Sequence, residues 1–168
     1  MSSYQLTFGS QDLTEEFAKE LWGLLAKQAQ NKSVLLYLLG NLGAGKSTFS
    51  RAFIRAAGYQ GNIPSPTYSI QEDYQLDDLT LYHLDLYRLS DPYELEVLGF
   101  FDNQQAKTMF LIEWPQMLLE DFPPTLLLEW QHLEQDPTAR GLNLNITDQS
   151  LANSSFKQNL EALVTKYQ

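Results

Sequence analysis

The chain contains no cysteine. Disulfide staples and thiolate metal sites are therefore excluded. It also lacks any apolar run long enough to cross a bilayer. Its start, Met1-Ser2-Ser3-Tyr4-Gln5, has neither the basic nor the apolar segment of a secretory signal. A cytoplasmic protein with no membrane contact is expected. Positive charge is scarce: 11 Lys and Arg stand against 21 Asp and Glu, a net charge of −10. Most of such a surface repels a polyanion, so any work on nucleic acid would need a partner to hold the nucleic acid. What remains, 43% hydrophobic and 19% charged residues over 168 positions, fits one globular domain spanning 1–168 with a real core.

The most informative segment is Gly40-Asn41-Leu42-Gly43-Ala44-Gly45-Lys46-Ser47-Thr48. Gly40, Gly45, Lys46 and Ser47 satisfy the phosphate-loop pattern G-x-x-x-x-G-K-[ST]. Gly40, Gly43 and Gly45 permit backbone angles that let consecutive N–H groups turn inward on an anion. The helix that follows adds its positive end. Lys46 is expected to reach the β- and γ-phosphates and the Ser47 hydroxyl to ligate Mg²⁺. Residues 41–48 are the candidate nucleotide-binding set: Asn41, Leu42, Gly43, Ala44, Gly45, Lys46, Ser47 and Thr48. The context is correct. Ser33–Leu39 reads as a buried strand, and Phe49, Phe53, Ile54 and Ala57 fall at helical spacing before a stop at Gly58.

Elsewhere, Tyr4–Phe8 predicts a short edge strand. A helix is predicted from Asp12, with Asp12 and Glu15 as a capping box and Leu13, Phe17, Leu21, Leu24, Leu25 and Gln28 on one face. Thr67–Tyr74 and Leu79–Tyr87 predict a hairpin turning at Leu76-Asp77-Asp78. Asp91 is the expected N-cap of a helix with Pro92 in its first position, ending at Gly99. Met109–Glu113 predicts a buried strand. Thr125–Leu133 and Gly141–Ile146 predict a second hairpin turning at Asp136-Pro137, and a helix closes the chain from Leu151 to Tyr167. The fold class that follows is α/β: a small P-loop NTPase whose mixed sheet has a parallel core, antiparallel hairpins and flanking helices.

A P-loop requires a carboxylate at the end of a neighbouring strand. Two qualify. Alternation places Leu81, His83 and Asp85 on one face of their strand. Met109-Phe110-Leu111-Ile112-Glu113 is four apolar residues and then an acid, the better Walker-B pattern. Both Asp85 and Glu113 are expected at the site; which of them touches the metal is open. Thr67, after Ser65-Pro66, stands where nucleotide switches carry a γ-phosphate sensor. Trp114 is expected beside the nucleotide. No Asn-Lys-x-Asp guanine-reading element is present, so ATP is the expected nucleotide.

Taken together, Gly40–Arg51, Ser65-Pro66-Thr67-Tyr68, His83-Leu84-Asp85-Leu86-Tyr87-Arg88, Asp91-Pro92 with Glu94-Leu95-Glu96, and Leu111-Ile112-Glu113-Trp114-Pro115 resemble the TsaE family, also known as YjeE. The resemblance implies a weak ATPase with ATP and Mg²⁺ as cofactors. It further implies TsaB and TsaD as protein partners and a role in threonylcarbamoylation of the adenosine beside the tRNA anticodon, with tRNA met only indirectly. It implies Lys46 as the phosphate ligand and Ser47, Glu113 and Asp85 around the metal. Thr67 would be the switch-like threonine, and Trp114 would lie close to the nucleotide. The chain departs from the family pattern at Asn41, often Asp, at Ser47, often Thr, and at Gln116, often Glu. A late Gly-Arg element is reordered here as Arg140-Gly141. A small-molecule kinase and a non-catalytic nucleotide-binding adaptor are the competing classes. The 39 residues ahead of the loop and the single arginine beyond Arg88 speak against a kinase with an arginine-rich lid.

Overall fold

The computed structural model describes residues 2–168. Seven strands form one sheet in the order β1-β7-β6-β2-β5-β4-β3. In chain order the elements are β1 (Ser2–Phe8), α1 (Gln11–Ala29), β2 (Val34–Leu39), α2 (Lys46–Ala56), β3 (Gln71–Gln75), β4 (Thr80–Asp85), α3 (Tyr93–Val97), β5 (Thr108–Glu113), β6 (Leu126–Leu133), β7 (Asp136–Ile146) and α4 (Ser155–Thr165). Strands β6, β2, β5 and β4 run parallel. The antiparallel pairs β3–β4, β6–β7 and β1–β7 extend that core on both sides. The expected mixed sheet is present, with β1 as its edge.

The central strands are apolar on both faces because both faces are covered. On one side Leu36, Leu38, Leu111, Leu128 and Leu144 meet Phe17 and Leu21 of α1, Phe49 and Phe53 of α2, and Leu160 of α4. On the other, Tyr37, Leu84, Phe110 and Ile112 meet Leu95, Phe100 and Leu118. Strands β2, β4 and β5 therefore alternate between two cores. Alternation within β4 divides as expected, with Leu81 on the first face and Leu84 on the second.

Several local expectations are corrected. The N-cap of α1 is Ser10, whose Oγ accepts a hydrogen bond from the Leu13 amide at 3.3 Å; Asp12 already lies in the first turn. Leu13, in the first turn, is exposed, and Thr14, Ala18 and Ala29 join Phe17, Leu21 and Leu25 on the buried face. Residues 67–70 are a turn, not strand. The Ile70 amide donates to the Pro66 carbonyl at 2.7 Å, and Ile70 takes a φ of 70°. Pro66, with its fixed φ, favours that turn. Helix α3 begins one residue later than expected, with Pro92 at its N-cap position, and Asp91 Oδ1 accepts a hydrogen bond from the Tyr93 amide at 3.0 Å. The β6–β7 turn is Glu134-Gln135, since Leu133 pairs with Asp136. Asp136 Oδ1 takes the Thr138 amide, so Asp136-Pro137 opens β7 instead of making the turn. The last helix starts at Ser155, capped by Ser154, after a short 3₁₀ turn at Gln149–Leu151.

Candidate functional site

Parallel β2, β5 and β4 lie side by side, so their C-terminal ends open on one crevice, the usual ligand position of such sheets. Register sets Leu38 beside Glu113 and Glu113 beside Asp85. The phosphate loop leaves β2 at Leu39 and enters α2 at Lys46, directly over these acids. A cleft of about 480 Å³ results, large enough for a nucleotide.

The loop's shape depends on its glycines. Gly40 has φ 141° and Gly45 φ 125°, values that side chains rarely permit. Space forbids a side chain at Gly40 as well, because a Cβ there would stand 2.6 Å from the Trp130 carbonyl oxygen. Trp130 in turn packs against Phe8 and Phe49, so the first core grips the loop from beneath.

Lys46 is 6% exposed, and its ammonium donates to the carbonyls of Gly40 and Asn41. The same ammonium lies 4.3 Å from the centre of the Trp114 ring. Burial pulls the Lys46 pKa below its ordinary value, and the charges of Glu113 and Asp85 partly oppose that pull. Ser47, one residue on, opens its side chain to the cleft. Leu42, Gly43, Gly45 and Thr48 also line it. Asn41 and Ala44 do not; Ala44 is buried beneath the loop and Asn41 contributes its carbonyl.

The two carboxylates differ in how they are held. Asp85 Oδ1 accepts the Tyr87 amide at 2.9 Å, and Asp85 Oδ2 accepts the Thr67 hydroxyl at 3.2 Å. Thr67 is therefore tied to the acid at the end of β4, and Ser65 Oγ lies 2.8 Å from Thr67 Oγ1. Glu113, 5% exposed, makes one side-chain hydrogen bond among the described residues, from His83 Nε2 to Oε2 at 2.7 Å. Glu113 Oε1 is left for a ligand in the cleft. Trp114 adopts φ 57°, which turns its ring back over Lys46 and against Tyr87 at 4.9 Å. Of the residues expected at the site, Leu42, Gly43, Gly45, Lys46, Ser47, Thr48, Thr67, Asp85, Glu113 and Trp114 line this cleft, and Asn41 and Ala44 do not.

These groups make a site with a positive-φ glycine loop, a buried lysine and two acids. The model of the family described as "Threonylcarbamoyl adenosine biosynthesis protein TsaE" matches residues 9–143. The chain belongs to the TsaE family. Among its relatives, the tRNA threonylcarbamoyladenosine biosynthesis protein TsaE of Haemophilus influenzae is 43% identical over 100 residues, 60% of this chain and 63% of that protein. The match thus spans a little under two thirds of the Haemophilus protein's length. The protein of the same name from Rickettsia felis is 34% identical over 139 residues, 82% of this chain and 80% of that one. The crystal structure of YdiB from Bacillus subtilis superposes with a TM-score of 0.68 over 98% of this chain and 96% of that one, at 23% identity, which shows a shared fold.

Sequence reasoning missed the far wall of this TsaE-family cleft. Ser10, Gln11 and Thr14 at the start of α1 line it, as do Thr138 and Arg140 of β7. These residues are distant in sequence from the loop and carry no spacing signal. The capping serine ahead of an apolar-periodic run was the one available clue to where α1 begins. Arg140 reaches the cleft, yet its Nη1 is occupied by the Pro137 and Ala139 carbonyls at 2.7 and 2.8 Å. No helix among the described residues is long and apolar enough to cross a membrane.

Proposed function

We propose that this chain is a Mg²⁺-dependent ATPase that supports threonylcarbamoylation of the adenosine beside the tRNA anticodon. It acts with the TsaB and TsaD proteins, using ATP binding and slow hydrolysis as a conformational switch. One observation carries the nucleotide half: a buried lysine, a glycine cradle and two strand-end carboxylates converge on one cleft. Membership in the TsaE family supports the pathway half. The net charge of −10 suits a protein that meets tRNA only through partners.

The residues present fit a magnesium nucleotide. Positive-φ glycines aim amides at an anion, and an acid with one uncommitted oxygen stands beside them. Bound Mg-ATP supplies the scissile phosphoanhydride and the cation that neutralises its terminal oxygens. Lys46, now resting on loop carbonyls, would exchange them for phosphate oxygens, a stronger charge-assisted partner. Ser47 Oγ and Glu113 Oε1 would hold the metal. Asp85 has both oxygens engaged, so it suits a water-positioning role better than direct ligation. Thr67 would feel the terminal phosphate and report it through Asp85. Intrinsic turnover is expected to be slow. Arg55 donates to the Tyr59 and Gly61 carbonyls, Arg140 donates to the Pro137 and Ala139 carbonyls of its own strand, and the Arg88 guanidinium lies 5.2 Å from the Tyr68 ring.

Calorimetry of the purified chain with ATP and Mg²⁺ tests the site. Multiple-turnover tRNA modification by TsaB and TsaD, with and without this chain, tests the pathway. Absence of ATP uptake in the first, alone and with the partners, overturns the assignment.

A further inference from the structure

His83 has no part in the site just described, yet it is 3% exposed and lies in direct contact with it. It stands on β4 two residues before Asp85, on the same face. Register pairs His83 with Leu111 and Asp85 with Glu113, so His83 is the diagonal same-face neighbour of Glu113. Its Nε2 lies 2.7 Å from Glu113 Oε2. A carboxylate oxygen accepts, so the bond runs from the Nε2 hydrogen of His83 to Oε2 of Glu113. The other ring nitrogen, Nδ1, is buried with no partner among the described residues. The imidazole thus has one polar attachment, and it is the acid.

The consequence falls on Glu113. A glutamate has three rotatable side-chain bonds and would otherwise sample several headings into the cleft. One of its oxygens is held by a ring that is itself buried, 3% exposed. The other, Oε1, has no hydrogen-bond donor among the described residues, and Glu113 lines the cleft beside Lys46 and Ser47. Ligating carboxylates are characteristically held in this way by a hydrogen-bond partner behind them. We propose that His83 is a positioning residue for the nucleotide-bound divalent cation: it clamps Glu113 so that a single oxygen is presented to the metal. This rests on the Mg-ATP reading above. It assigns His83 no contact with substrate and no proton transfer.

The test follows ATP binding by calorimetry across a magnesium titration, with no turnover required. Three forms are compared: wild type, His83→Leu and His83→Gln. Leucine fills the space without a donor. Glutamine places an amide N–H close to the position of Nε2. His83→Leu should raise the Mg²⁺ concentration for half-maximal enhancement of ATP binding by roughly tenfold to a hundredfold. Its magnesium-free ATP affinity should stay at the wild-type value, because the loop and Lys46 are untouched. His83→Gln should recover most of the magnesium response. A merely structural histidine would lower both affinities together and would not be rescued by glutamine. A His83→Leu variant with the wild-type magnesium midpoint overturns the inference, as does a His83→Gln variant no better than His83→Leu. Wild-type binding that ignores magnesium would instead overturn the underlying metal reading, and the two failures are distinct.

Discussion

Replacing Gly40 by alanine tests whether the first core holds the phosphate loop from beneath. Two costs act on it. The φ of 141° lies where an L side chain is strained, at about 1–3 kcal/mol. The new Cβ would also stand 2.6 Å from the Trp130 carbonyl oxygen. That oxygen belongs to the backbone of β6, between β2 and β7, and cannot rotate away. Relief requires the loop to lift or β6 to shift, a packing cost of roughly 1–3 kcal/mol. The two overlap, because lifting the loop relaxes both, so a total loss of about 2–4 kcal/mol is expected. For a domain of this size that is a fall in melting temperature of roughly 5–15 °C.

Gly43→Ala is the internal control. Its φ is 76°, and the nearest atoms to a new Cβ lie at 3.8 Å, on the His132 ring. It should lose only the conformational cost, about 1–2 kcal/mol. Thermal melts of the three forms without nucleotide measure the difference, and calorimetry with Mg-ATP measures the site. Both variants should weaken ATP binding, since both disturb the amide cradle. Gly40→Ala should be the less stable fold. Should Gly40→Ala melt within 2 °C of wild type, or above Gly43→Ala, as a rough threshold on that same scale, the close approach to Trp130 is not a restraint.

Lys46→Ala should abolish ATP turnover and support of tRNA modification while leaving the melting temperature near the parent's, because it deletes a desolvated cation and no core packing; steady-state phosphate release and melting curves check this. Trp114 is half-buried over Lys46, whereas Trp130 is packed in the core, so the fluorescence change on ATP binding should vanish in Trp114→Phe and persist in Trp130→Phe. Thr67→Val removes the hydroxyl bound to Asp85, so kcat for phosphate release should fall at least about tenfold with ATP affinity little changed, the pattern of an interaction used in the transition state. Tyr74 is buried with an unpartnered hydroxyl, and burial raises its pKa from 10.0 to about 12. The folded state keeps that proton longer than the unfolded state does. Its contribution is therefore fully present below pH 10 and is lost as pH rises from 10 to 12. Tyr74→Phe should shallow the alkaline decline of stability in that window and cost nothing at neutral pH, as denaturant titrations at several pH values would show.

The parts of the site visible in the sequence were those whose chemistry is local. The loop announces itself because Gly40, Gly45, Lys46 and Ser47 act within one turn of chain. Glu113 shows as an acid closing a run of four apolar residues, and alternation along β4 puts Asp85 on the face that reaches the crevice. The errors have a common cause as well. The strand expected at Thr67 gives way to a turn because Pro66 offers its carbonyl to Ile70, and the turn expected at Asp136-Pro137 moves because Asp136 bonds forward to Thr138. In both places a hydrogen bond two to four residues away outweighed residue-type preference.

What no spacing could reveal is the division of labour between the two acids. Asp85 and Glu113 sit side by side in the register, yet one has both oxygens occupied and the other has one free. The distinction comes from partners brought in by the fold: Thr67 from the turn after α2, the Tyr87 amide beyond β4, and His83 from the neighbouring strand. It also gives the proposed switch a direction. Any pull on Thr67 from the cleft acts on Asp85 and through it on the Tyr87 amide. Tyr87 is 60% exposed and rests on Trp114, which lies over Lys46. Thr67 is thus linked through two contacts, by way of Asp85, to an aromatic side chain on the outer surface. Thr67→Val should therefore uncouple ATP binding from any spectroscopic change at Tyr87 without preventing binding. Retention of the full change in that variant would mean the signal travels by another route.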